Sequence, residues 1–194
     1  MLLNALRERT RIYHDQLESS VEVMSPGLTP GRYLALLKSF YGFYLPVESS
    51  LQARGEWNHL DIDFSRRTKI PRMHQDFASL GLDEAQIAKI PLCPVSALPP
   101  LVSFDDALGC AYVLEGATLG GQVISRHLHG LFDMDSTSGC AFFGSYGSEV
   151  GPMWKSFVAA LNSYPTTAEQ SERIIVSACR TFESFHHWLA QKAS

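Results

Sequence analysis

A chain of 194 residues with 45% hydrophobic content is long enough for one substantial core and too short to need two, so it reads as one domain over residues 1–194. A net charge of −4, a pI near 5.9 and basic residues spread along the chain argue against a nucleic-acid surface. Cys93, Cys110, Cys140 and Cys179 are scattered without CxxC spacing, and nothing before Leu2 resembles a signal peptide. They read as reduced thiols of a cytoplasmic protein. With no run of eighteen apolar residues, no membrane span is expected.

The spacing of Leu3, Leu6, Thr10, Tyr13 and Leu17 predicts a first helix over about Leu2 to Val21, ended by Pro26-Gly27. Thr29 caps a second helix with Pro30 at its first position, carrying an aromatic-rich face from Tyr33 to Leu45 and stopping at Arg54-Gly55. Pro46 is a kink point within it. Periodicity lapses from Glu56 to Asp63, resumes over Ser65 to Leu80 with an expected break at Pro71, and closes at Gly81. Asp83 caps a short helix to about Ile90, and Pro91 to Pro100 is an extended connector. A long apolar helix covers Ser103 to Leu128, followed by a polar turn at Asp133 to Gly139 and a glycine-punctuated aromatic loop, Phe142 to Gly147. Ser148 and Glu149 open a helix to Leu161, and a last one starts at Thr166 or Thr167 and runs to Gln191. Nothing alternates as a strand does. The fold class is all-α, a single domain of seven or eight helices.

The central helix contains Gly116, Gly120 and Gly121, and each interior glycine costs about 1 kcal/mol relative to alanine. Close approach of the backbone to a ligand or neighbouring helix, or a bend that needs the missing Cβ, is the usual offset. Tyr112, Gly116 and Gly120 share one helical face, which suits a flat ligand. On the first helix, His14 lies at the shoulder of the buried stripe with Arg7, Arg11 and Glu18 along the same shoulder. A neutral imidazole is a good iron ligand, and the arginines suit anionic groups on the same molecule. Taken alone, His14 would read as a boundary histidine and its neighbours as a solvated face.

Leu6-Arg7-x-x-Thr10-x-x-x-His14-x-x-x-Glu18 and Tyr112-Val113-Leu114-Glu115-Gly116-Ala117-Thr118-Leu119-Gly120-Gly121-Gln122 together resemble the proximal and distal helices of the heme oxygenases, and within them the bacterial, biliverdin-producing branch. The resemblance implies an all-α fold with heme sandwiched between the first and central helices. It implies His14 as the axial ligand to heme iron, with Glu18 beside it. Arg7, Arg11 and Tyr112 are implied near the heme propionates, with Lys155 and Phe182 as further lining residues and Gly116, Gly120 and Gly121 as the distal wall. Phe185 is a heme-edge candidate together with Phe182, although aromatic spacing on a helix is for both more often plain core. Ala117 stands where animal members carry an aspartate that helps deliver protons, so Thr118 or an ordered water is the substitute. The implied reaction cleaves heme b, both substrate and cofactor, with dioxygen and an external electron donor, a ferredoxin or a reductase. Biliverdin, carbon monoxide and ferrous iron are its products. They serve iron release or, in a phytochrome-associated subgroup, chromophore supply to a bacteriophytochrome. No nucleic acid or membrane partner is implied.

Three rivals stand beside this reading. Glu183-x-x-His186 and Glu56-x-x-His59 resemble the paired motifs of helical di-iron proteins, but the second pair lies in an aperiodic stretch. A non-catalytic heme carrier or sensor fits the loss of the distal acid at Ala117. A heme-free helical enzyme on the same scaffold is the third.

Overall fold

A computed structural model describes residues 2–193, and among them there are eight α-helices, several 3-10 turns and no strand. The helices are α1 (Leu2–Ser20), α2 (Pro30–Gln52), α3 (Ile70–Ser79), α4 (Glu84–Ile87), α5 (Phe104–Phe132), α6 (Ala141–Gly144), α7 (Val150–Ser163) and α8 (Ala168–Ala193). Their starts follow the expected chemistry. Thr29 accepts the Arg32 N–H at 3.3 Å, Asp83 with Gln86 and Ser103 with Asp106 form capping boxes, and Thr167 exchanges side-chain to backbone bonds with Gln170 at 2.9 and 3.2 Å.

Pro46 does not end α2. It removes the donor that would have bonded the Gly42 carbonyl, and the Cys93 N–H of the proline-rich connector takes that place at 2.8 Å. The missing side chain at Gly42 lets the Pro91 carbonyl and the Trp188 ring close onto the helix there. The connector is thereby stapled to α2.

Three expectations are corrected. Ser65 to Leu80 divides, into a 3-10 turn Phe64–Arg67 and then α3, but the break lies just before Pro71, which sits in the first turn of α3 and starts it. The central helix runs through Gly130 to Phe132 and stops where Asp133 adopts a left-handed conformation. Within the aromatic loop, residues 141–144 wind into α6, since the buried carboxylate of Asp76 accepts the Ala141 and Phe142 N–H groups at 2.6 and 2.8 Å.

The most extensive contacts are between α5 and α8 and between α1 and α8, whereas α1 and α5 share no broad direct face. Gly109 allows the α5–α8 crossing: a Cβ there would strike the Ile174 carbonyl and Ser177. Phe185 packs between Phe40, Phe43 and Tyr44 and is core, not a ligand-lining residue. All four cysteines are free and buried. Although α5 has the length and the mean hydropathy, 1.2, of a membrane-crossing segment, 61% of that stretch is buried inside the fold, as a core helix requires.

Candidate active site

On α1 only Leu6 and Thr10 are fully buried, because the helix rests on α8 along one narrow stripe. His14 stands one turn beyond Thr10, its side chain 50% exposed. One ring edge meets Phe182 of α8, centroids 5.8 Å apart in a T-shaped pair, so the imidazole is steadied without being enclosed. Glu18 Oε1 lies 3.6 Å from Nε2 and Asp15 Oδ1 lies 3.6 Å from Nδ1. These three exposed residues place a ligand atom each within 4.8 Å of one another. Asp15 is an addition to the expected shoulder. Arg7 and Arg11 are exposed on the same helix, and Lys155 is exposed on α7.

Tyr112 of α5 joins the two helices. It is buried, and burial raises its phenol pKa while a hydrogen bond with Thr10 and the Arg7 charge oppose that rise. Its ring lies 5.8 Å from that of Trp154 on α7, whose indole reaches to 3.8 Å from where a Gly116 side chain would begin. One turn on, Gly120 would place a side chain in open space with nothing within 4 Å. Around it Ala117, Leu119 and Val123 are exposed, the last two by 43% and 49%. An apolar, glycine-flattened face therefore continues the Tyr112–Gly116 line, as the spacing predicts.

Two assigned residues point elsewhere. Gly121 is buried against α6: a Cβ would come 2.5 Å from the Phe143 carbonyl oxygen, so this glycine serves packing and not the ligand face. Thr118 is buried, and its hydroxyl donates to the Glu115 carbonyl at 2.7 Å, which turns its proton into the helix and away from the open face. The di-iron alternative also fails geometrically. Glu56 and His59 occupy a 3-10 turn, Gly55–Leu60, with Glu56 facing Arg54 at 3.8 Å, and no metal-like cluster includes them or Glu183 and His186 among the described residues.

Behind the open face lies a charge cluster that motif reasoning passed over. Glu115 is buried and receives the guanidinium of Arg67, the ammonium of Lys69 at 2.6 Å and the Tyr146 hydroxyl at 2.7 Å. Arg67 also bonds the Met153 carbonyl and the Ser156 hydroxyl of α7 at 3.2 and 2.7 Å. Glu48 of α2 sits beside it and accepts the Lys69 and Ile70 N–H groups at 2.8–3.2 Å, while burial pushes its pKa up to about 6. Desolvation and the neighbouring Glu115 charge hold the Tyr146 phenol well above its usual range. One signal was available in the sequence: Glu115 is the single charged residue between Ala107 and Gln122. A buried charge must be paired.

The fold and face define a class: an all-α protein with a half-exposed histidine on one helix and a flattened helix beside it, both supported by a third. The comparisons make the class specific. The heme oxygenase family model matches residues 1–191. A heme oxygenase from Xanthomonas campestris pv. campestris is 30% identical over 129 residues, 66% of this chain and 70% of the relative. Among solved structures, the NO- and CO-bound heme oxygenase of Neisseria meningitidis superposes with a TM-score of 0.83 at 22% identity, covering 99% of this chain and 92% of that one. The Leptospira interrogans heme oxygenase gives 0.80 at 19% identity over 98% of both chains. The heme complex of heme oxygenase-1 from Synechocystis gives 0.77 at 15% identity, covering 98% of this chain and 91% of that one. The chain belongs to the heme oxygenase family, whose general function is heme degradation.

Proposed function

We propose that this chain is a cytoplasmic heme oxygenase acting as a single unit, converting heme to biliverdin, carbon monoxide and ferrous iron with dioxygen and electrons from a ferredoxin or reductase. The observation that carries the reading is the open, side-chain-free surface at Gly120 on the same face as Gly116 and Tyr112, in a family member whose α1 offers a half-exposed His14. These residues fit heme: a flat macrocycle needs a wall without Cβ atoms, and iron needs an imidazole nitrogen free of a strong local bond. His14 holds the iron, and Glu18, within 3.6 Å of the ring, orients the imidazole. Arg7, Arg11 and Tyr112 engage the heme carboxylates, and Lys155 adds an exposed cation from α7. Gly116 and Gly120 admit the macrocycle face, and Phe182 supports the ring of His14 from below. Bound heme supplies the iron at which dioxygen is reduced and the carbon edge that is cleaved. Because Ala117 carries no proton and Thr118 is turned inward, protons reach that face through water held at main-chain carbonyls.

Titration of the protein with hemin is expected to give a Soret band that His14→Ala strongly alters; an identical band in the variant would remove His14 from the site. Adding ascorbate or a reductase system in air is expected to bleach the Soret band while biliverdin absorbance grows. A second reading, a heme carrier or sensor, draws support from the same Ala117 and inward Thr118, and persistence of intact heme in that assay would favour it. Whether the product is released for iron supply or handed to a bacteriophytochrome is a separate question of partners, tested by mixing the protein with an apo-phytochrome and following chromophore incorporation.

A further inference from the structure

We propose that Glu115 is a positioning residue: its carboxylate, buried behind the open face of α5, clamps the segment Tyr112–Gly120 at a fixed height and so sets where a bound heme lies. The proposal rests on the heme oxygenase reading above. Four independent elements converge on this side of the helix. Arg67 links Glu115 to the Met153 carbonyl and Ser156 hydroxyl of α7, the helix whose Trp154 meets Tyr112 and Gly116. Its guanidinium lies 5.8 Å from the Phe157 ring, which stacks with Trp154 at 6.2 Å, so charge and aromatic contacts fix the same α5–α7 gap. Lys69 ties Glu115 to the start of α3, where Glu48 of α2 accepts two backbone N–H groups.

The fourth link is the turn after α6. Tyr146 donates to Glu115, and its ring carries Lys69 and Arg72 at 5.2 Å each. Ser145 just before it holds φ 50° and ψ −120°, a conformation costly for a residue with a Cβ, and its carbonyl is gripped by Arg72 Nε at 2.7 Å. Such strain persists only when its surroundings over-determine it. The same turn is pinned to α5 at two further points, the Gly144 carbonyl accepting from Gln122 at 3.0 Å and the Phe143 carbonyl seated on Gly121. An apolar replacement of this cluster would pack as well or better, since burying ions is costly even when they are paired. What an apolar side chain cannot do is hold three directions at once through charge-assisted bonds of fixed geometry. Their common target is the stretch of α5 that faces the ligand.

The test uses the full chain reconstituted with hemin, comparing wild type with Glu115→Gln and Tyr146→Phe. Expected are a changed biliverdin isomer distribution, most in Glu115→Gln and less in Tyr146→Phe, and a moved midpoint in the pH titration of the ferric Soret band. Tyr146→Phe keeps all the ions and removes only the hydroxyl, with its contacts to Glu115 at 2.7 Å and to the Arg67 carbonyl at 3.2 Å, so it carries the test should Glu115→Gln fail to fold. Isomer distribution and Soret midpoint both unchanged in a folded variant would reduce Glu115 to a core ion pair and overturn the proposal. If wild type binds hemin and makes no biliverdin, the enzyme reading fails, and the Soret midpoint alone still decides the role of Glu115.

Discussion

At the scale of single residues, two glycines one position apart on α5 do opposite jobs. Gly121 touches the Phe143 carbonyl, a backbone atom that cannot swing aside. Gly121→Ala is therefore expected to destabilise the protein by about 1–3 kcal/mol, seen as a lower urea midpoint with an unchanged slope. Gly120 meets nothing, so Gly120→Ala should leave the ligand-free protein as stable or up to about 1 kcal/mol more so, from helix propensity alone. The same methyl group stands on the face assigned to heme, and hemin titration should then find weaker binding or a shifted product isomer. A variant that is stabilised and binds and turns over hemin like wild type would detach Gly120 from the ligand. The pair matters because the Gly-Gly step looks uniform in sequence; only the position of Phe143, brought in from 22 residues downstream, separates packing from function.

At the scale of elements, two helix starts depend on carboxylates from elsewhere in the chain. Glu48 caps α3 and Asp76 caps α6, and burial raises each pKa, from 4.5 to about 6 for Glu48 and from 3.8 to about 6 for Asp76. A raised folded-state pKa means that the folded protein binds the proton more tightly than the unfolded chain. The contribution is full below the unfolded value and is lost as pH rises through about 6. Glu48→Gln is expected to flatten the fall in stability between pH 4.5 and 6 by about 2 kcal/mol relative to wild type, read from urea midpoints across that window. A parallel offset at every pH would show that Glu48 acts by hydrogen bonding alone. These caps also mark how far sequence reasoning reaches. Thr29, Asp83, Ser103 and Thr167 cap their own helices within three residues, and those starts were legible. Glu48 and Asp76 act across 21 and 65 residues, so neither cap could be read beside the helix it starts, and Pro71 in the first turn is a local signal for α3 alone. The candidate site divides the same way. His14 with its shoulder and the Gly116–Gly120 face repeat at helical spacing, while the partners of Glu115 lie 48, 46 and 31 residues away and follow from folding, not from periodicity.

For the whole molecule, the arrangement is asymmetric in a way that bears on ligand entry. The first half of α5 is buried almost throughout and locked by α8, α7 and the Glu115 cluster, whereas α1 buries two residues and leans on α8. Apolar contact sets the free energy of local opening, so α1 is the weaker wall. In hydrogen exchange of the ligand-free protein, amides around His14 are expected to exchange well before those from Ala107 to Glu115. Heme bridging His14 to the face of Gly116 and Gly120 would join the weak wall to the strong one, adding a stabilisation that grows with ligand excess, about 2.7 kcal/mol at one hundred times Kd. Hemin should accordingly slow exchange across α1 far more than across the first half of α5. In His14→Ala that slowing should be largely lost while exchange in α5 stays as in wild type. Equal protection of the two helices without ligand, or protection by hemin confined to α5, would mean that α1 is not the movable wall and that heme seats without it.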